Sequence, residues 1–214
     1  MSNAAYSHEQ GTQDWIDARL GHITASRFAD VKYGRNGEWS QTSQTYLLDL
    51  IGEHLTRQPA SDVRTRAMEW GHTYEPVARE AFCEATGLTV DQCGFITRPG
   101  WPLIGASPDG LIGQWMTLEI KCPMTASRHA WVLLNDDIPE EHVAQVQGQL
   151  WITGRETCHF VSFHPSFPRE LQLAAVLVHR DQVYIDALEA RVFRFRDQLV
   201  ESLKAIGKTW REKQ

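Results

Sequence analysis

The sequence predicts an α/β domain: a mixed central β-sheet flanked by helices, ending in a long C-terminal helix. Three observations carry this reading. Helical periodicity dominates from Gln44 to Ala85, strand signals cluster from Leu88 to Cys122, and helices and strands then alternate to the end. Elements in that order bury a sheet between helices on both faces. The 214 residues suffice for one large core, so a single domain is expected over residues 13–210, behind a polar tail of residues 1–12.

The elements follow in chain order. Between Trp15 and Phe28, Thr24 or Ser26 can cap a helix that begins there. Gly34 to Trp39 is a loop, and Gln44 to Leu55 is a helix with Tyr46, Leu47, Leu50, Ile51 and Leu55 on one side. A second helical region starts near Ser61 or Asp62 and reaches Ala85, with Gly87 as its stop. Gly71 and Pro76 interrupt it, so a restart near Thr73 is expected, with Pro76 in the new first turn. Strands are expected at Leu88–Val90, Gly94–Arg98, Leu103–Ala106, Gly110–Ile112 and Trp115–Cys122, with turns at Asp109-Gly110 and Gly113-Gln114. Helices at Ala126–Leu134 and Pro139–Thr153 precede strands at Thr157–His164 and Leu173–His179. An amphipathic helix from Gln182 to Ile206 stops at Gly207.

Composition narrows the class. With 42% hydrophobic and 22% charged residues, the chain has the make-up of a soluble globular protein. It contains no apolar run of the roughly eighteen residues that a membrane span needs. Met1 to Gln13 is polar and lacks the apolar stretch of a secretory signal, so a cytoplasmic protein is expected. Cys83, Cys93, Cys122 and Cys158 lie far apart, which disfavours zinc ribbons, disulfide scaffolds and iron–sulfur clusters and suggests reduced, mostly buried thiols. The net charge of -6 argues against a general nucleic-acid coat protein, but not against an enzyme holding DNA in a narrow basic channel.

The chemistry centres on Ser107-Pro108-Asp109-Gly110 and, ten residues after Asp109, Glu119-Ile120-Lys121. On a strand, Met116, Leu118, Ile120 and Cys122 form one apolar face, and Thr117, Glu119 and Lys121 project from the other. Two carboxylates can hold a hard divalent cation, and a lysine beside them can orient or deprotonate an attacking water. The spacing resembles the signature of the restriction-endonuclease-like nuclease superfamily, which would make the sheet a restriction-endonuclease-like core. The bland alternative is an Asp in a turn and a surface Glu/Lys pair. Helix Pro139–Thr153 adds Gln147 within its apolar stripe of Val143, Val146, Leu150 and Trp151, while Glu141, Gln145 and Gln149 lie on another side. A buried amide at Gln147 needs partners, from a catalytic cleft or from backbone. Glu75, near an expected helix start, has a bland alternative in the helix dipole.

Five motifs together resemble a narrower group. They are Trp15-x3-Arg19-Leu20-Gly21-x-Ile23-Thr24-Ala25-Ser26, Trp70-Gly71-x2-Tyr74-Glu75, Ser107-Pro108-Asp109-Gly110-Leu111, Glu119-x-Lys121-Cys122-Pro123 and Ala144-Gln145-Val146-Gln147. Their order and approximate spacing are similar to those of the phage lambda exonuclease family of viral-type recombination nucleases. The likeness runs over roughly residues 12 to 210.

That resemblance implies a magnesium-dependent exonuclease that degrades one strand of linear double-stranded DNA from its 5′ end, releases mononucleotides and leaves 3′ single-stranded tails. It implies two Mg2+ per active site, with Mn2+ as a substitute, and a homotrimeric ring that makes degradation processive. A phage-type single-strand annealing protein is the implied partner, and a bacterial cell carrying phage or prophage genes the implied setting. Carried onto matching positions, Asp109, Glu119 and the Ile120 carbonyl would bind metal, and Glu75 would support it through water. Lys121 would activate or position the nucleophilic water, and Gln147 would hold that water or the lysine. Arg19 and Ser26 would hold the 5′-phosphate with Trp15 close by, a role that suits a planar guanidinium and a hydroxyl near a helix start. Lys32, Arg35, Arg57, Arg64 and Arg66 are candidates for a channel lining, or simply solvated side chains. Two other readings stay open: an endonuclease of the same superfamily, and a non-catalytic DNA-end-binding adaptor.

Overall fold

Two strands in the middle of the chain set the architecture. β5 (Met116–Lys121) and β6 (Thr157–Phe163) run parallel, in a register that pairs Glu119 with Phe160 and Lys121 with Ser162. β4 (Gly110–Ile112) adds antiparallel to the outer side of β5, and β7 (Leu173–His179) antiparallel to β6. A smaller sheet has the order β1-β3-β2, from β1 (Ile23–Thr24), β2 (Ile96–Thr97) and β3 (Ile104–Ala106). The structure is a computed structural model describing residues 10–60 and 65–212, with side chains described as far as residue 209.

Helices cover both faces of the main sheet. On one face, Ala78 and Phe82 of α3 (Arg66–Thr86) pack against Leu118 and Ile120 of β5 and Val161 and Phe163 of β6. On the other, Val146 and Leu150 of α5 (Glu140–Thr153) and Val132 of α4 (Ala126–Asn135) pack against Cys158, Phe160 and Val176. A third cluster joins α2 (Gln41–Thr56) to α6 (Gln182–Glu212): Tyr46, Leu50 and Ile51 meet Ile185, Leu188, Val192, Phe195 and Leu199. The α6 residues recur at alternating steps of three and four, which keeps one stripe of a helix facing inward. Each such buried side chain contributes about 1.5–3 kcal/mol.

Several expectations change. The helix expected near Thr24 or Ser26 is a short 3-10 segment, Ala25–Asp30, and the α-helix of that region is α1 (Gln13–Arg19), capped by the Thr12 side chain. α3 is one helix with Pro76 inside it, not two. Pro76 forfeits one backbone bond, but Ala78 and Phe82, both fully buried on the sheet, hold the helix through that gap. The start expected at Ser61 or Asp62 lies outside the described residues; Thr65 caps the helix, and Gly87 ends it in the left-handed region, as its sequence position suggests. Leu88–Val90 is not a strand, and only Asp91 makes a bridge there, to Leu111. α6 continues through Gly207 to Glu212. No described helix is long and apolar enough to cross a membrane.

One close approach matters for function. A Cβ on Gly148 would lie 2.4 Å from Cδ2 of Phe28, a fully buried ring in the 3-10 segment. Only glycine lets α5 lie this near the segment that carries Ser26.

Candidate active site

The face of β5 bearing Glu119 is not open to solvent: Thr117 and Glu119 are 0% and 1% exposed, because α5 covers them. Burying a carboxylate demands compensation, and Glu119 receives it on both oxygens. Lys121 Nζ lies 2.5 Å from Oε1, Gln145 Nε2 donates to Oε1 at 2.6 Å, and Gln149 Nε2 donates to Oε2 at 2.5 Å. Lys121 also donates to Gln145 Oε1 at 3.1 Å, which closes a triangle of Glu119, Lys121 and Gln145. Burial acts to lower the Lys121 pKa, but Glu119 and then Asp109 outweigh it and hold the ammonium above its ordinary value.

Asp109 sits between β3 and β4, tied twice to β5. Its N–H donates to the Leu118 carbonyl at 3.0 Å, and its Oδ2 accepts from Ile120 N–H at 2.7 Å. Burial, then Glu119, then Glu75 raise its pKa well above the usual carboxylate range. Glu75 comes from α3, where Arg79, one turn on, donates to its Oε1 at 2.6 Å.

Across the same space stands a second group. The Arg19 guanidinium lies 4.1 Å over the Trp15 ring and donates to Ser26 Oγ at 3.4 Å. Trp15 Nε1 donates to Ser107 Oγ at 3.0 Å, and Thr24 Oγ1 is 3.1 Å from Ser26 Oγ. Trp15, Arg19, Ser26, Glu75, Asp109, Glu119, Ile120 and Lys121 all line one cavity of about 180 Å³. A larger cavity of about 610 Å³ adjoins it past Trp15, Glu75 and Asp109.

Gln147 is not among the residues brought together. Its Nε2 donates to His179 O at 2.8 Å and its Oε1 accepts from Asp181 N–H at 2.9 Å, so it anchors the connection from β7 to α6. The glutamines in the cavity are Gln145 and Gln149. Their four-residue spacing puts both on one helix face, and that spacing is the sequence signal for them. Lys32, Arg35, Arg57 and Arg66 are exposed and do not line this cavity, while Arg64 lies outside the described residues. The four cysteines are free, and burial pushes Cys93 and Cys122 up to about 12.

Among the described residues, no group of three His, Cys, Asp and Glu stands ready to hold a metal ion. The donor chemistry nevertheless fits a hard divalent cation: carboxylates of Asp109 and Glu119 face one cavity with Glu75 nearby. Their mutual repulsion at Asp109 is of the kind a cation relieves. Lys121 holds Glu119 Oε1, so cation binding there requires the ammonium to move aside.

Comparison with known proteins identifies relatives of this chain. The family model of the YqaJ-like viral recombinase domain matches residues 14–156. An alkaline exonuclease (LHK-Exo) from Laribacter hongkongensis is 33% identical, with a TM-score of 0.87 over 95% of this chain and 100% of that one. That protein has also been solved in complex with dAMP. A phage related exonuclease from Haemophilus somnus 129PT, 14% identical over 85% of this chain and 96% of its own, shares the fold with a TM-score of 0.67. Protein R354 of Acanthamoeba polyphaga mimivirus is 26% identical over 165 residues, 72% of this chain, and the chain spans only 29% of that relative's length.

Proposed function

The chain belongs to the YqaJ-like viral recombinase family, and from that premise we propose that it is a metal-dependent DNA exonuclease. The substrate is linear double-stranded DNA, degraded 5′→3′ from a 5′-phosphorylated end to mononucleotides, which leaves 3′ single-stranded tails for recombination. One observation carries the reading: Asp109, Glu119 and Lys121 share a cavity with Arg19 and Ser26. A carboxylate–lysine group suits phosphodiester hydrolysis, and an arginine–serine pair one cavity's breadth away suits a terminal phosphate.

Each side chain has a task. Asp109 and Glu119 would hold Mg2+, with the Ile120 carbonyl and Glu75 as the further groups that would support it. When bound, the cation supplies Lewis-acid polarisation of the scissile phosphate and offsets the charge that develops on it. Lys121, kept charged by its carboxylate neighbours, orients the attacking water and faces the growing negative charge. Gln145, rather than Gln147, steadies Lys121 through its carbonyl and Glu119 through its amide. Arg19 and Ser26 grip the 5′-phosphate, so that the bond one nucleotide inward falls to the carboxylates. A ring of three subunits around the duplex and a single-strand annealing partner belong to the same reading, supported by the family resemblance.

The test compares 5′-phosphorylated and 5′-hydroxyl linear duplexes with a covalently closed circle, in Mg2+ or EDTA, for wild type and Lys121→Ala. Progressive loss of one strand from phosphorylated ends, abolished by EDTA and by the substitution, is the expected outcome. Cutting of the circle would make the protein an endonuclease, and end binding without degradation would make it an adaptor.

A further inference from the structure

The two oxygens of Glu119 are held by different partners. Oε1 meets Lys121 and Gln145, whereas Oε2 meets Gln149. Gln149 is 1% exposed, and its own Oε1 is buried without a hydrogen-bond partner. A buried amide with one end orphaned is costly to keep, and an apolar side chain would fill the same volume without that cost. The amide N–H is therefore the part of Gln149 with a function.

Resting on the reading of Asp109 and Glu119 as cation ligands, we infer that Gln149 is a positioning residue that pins Glu119 Oε2, so that Oε1 alone turns to the cation once the Lys121 ammonium moves aside. The helix makes the pin rigid. Gln149 follows Gln145 by one turn of α5, and Gly148 between them is pressed against the buried Phe28 ring, which fixes the helix against the 3-10 segment. A carboxylate restricted to one oxygen suits a small octahedral ion such as Mg2+. A carboxylate free to offer both suits the larger, more flexibly coordinated Ca2+. Gln149 thus sets ion preference as well as affinity.

Calorimetric titration of the full chain with Mg2+ and with Ca2+, without DNA, tests this in wild type and Gln149→Met. Loss of the pin is expected to weaken Mg2+ binding by about tenfold or more and Ca2+ binding less, shifting the Mg2+/Ca2+ affinity ratio towards Ca2+. A residue that only offsets the burial of Glu119 would leave that ratio unchanged, and an unchanged ratio overturns the inference. Should Q149M not fold, as judged by circular dichroism, the same ratio is read on Gln149→Leu, which likewise fills the site and removes the donor. Wild-type protein that binds neither cation would overturn the metal-dependent reading itself, a result distinct from wild-type binding with an unaltered ratio.

Discussion

Asp109 Oδ2 accepts the backbone N–H of Ile120 at 2.7 Å, so the carboxylate is locked beside Glu119 although the two repel. Raised by burial and by Glu119 and Glu75, its pKa in the fold exceeds its unfolded value. For such a group the stability contribution is full below the unfolded pKa and is lost as pH rises through the folded pKa. Ionisation of Asp109 therefore opposes folding.

Asp109→Asn should then stabilise the metal-free protein while abolishing nuclease activity. The melting temperature in EDTA is expected to rise, by about 2–4 °C for each kcal/mol of repulsion removed. Mg2+ should raise it further in wild type but not in the variant. A variant less stable than wild type in EDTA would show that Asp109 is not a strained ligand.

How much of this was open to sequence reading differs by feature. Strand β5 announces itself by alternation, and the spacing from Asp109 to Glu119 spans one hairpin, so both carboxylates follow from local pattern. The long helix α6 does likewise, through apolar steps of three and four. Sequence does not single out Gln145 and Gln149, because burial of a polar face depends on what packs over it, and α5 is more than twenty residues from Glu119 in sequence. Pro76 misled for the same reason: helix α3 survives on the sheet contacts of Ala78 and Phe82, which propensity does not contain.

Acid should destabilise the fold through His129, which is buried, and His142, which is half-buried. His129 accepts from Ser162 Oγ at Nδ1 and donates from Nε2 to the Leu171 carbonyl, both at 2.8 Å, an arrangement that suits the neutral ring. Its pKa is lowered by burial, and that of His142 falls to about 4 through burial, Lys121 and Arg128. The unfolded chain takes up protons first, so stability is full above the unfolded value near 6.5 and declines as pH falls towards 4. Each histidine adds up to about 1.4 kcal/mol per pH unit to that slope. Denaturant titrations across this window should show a shallower slope for His142→Gln, and an equal slope would remove His142 from the account.

The contact of Gly148 with Phe28 predicts a stability defect that reaches the site. A methyl group at 2.4 Å from a fully buried ring carbon has nowhere to go. Gly148→Ala should cost about 1–3 kcal/mol by overpacking and, by pushing α5 from the 3-10 segment, separate Gln145 and Gln149 from Ser26. Trimming the ring in the double variant Gly148→Ala, Phe28→Leu should recover part of both losses. No recovery would mean that the strain lies elsewhere.

Arg19 should decide end recognition, because its guanidinium is held over Trp15 and bonded to Ser26 before any phosphate arrives. Burial works against its charge, while Tyr46, Glu53, Asp109 and Glu119 oppose that effect, so a phosphate must compete with a preset carboxylate field. A hydrogen bond to a charged group is worth about 1.5–3 kcal/mol. Arg19→Ala should therefore lower the rate ratio of 5′-phosphorylated to 5′-hydroxyl ends by roughly tenfold or more. Arg19→Lys should fall well short of wild type, since an ammonium neither stacks on the indole nor presents a planar fork. The measurement is the ratio and not the rate, because a general loss of DNA affinity lowers both substrates alike. A ratio that survives Arg19→Ala would move the phosphate site away from the Trp15–Arg19 stack.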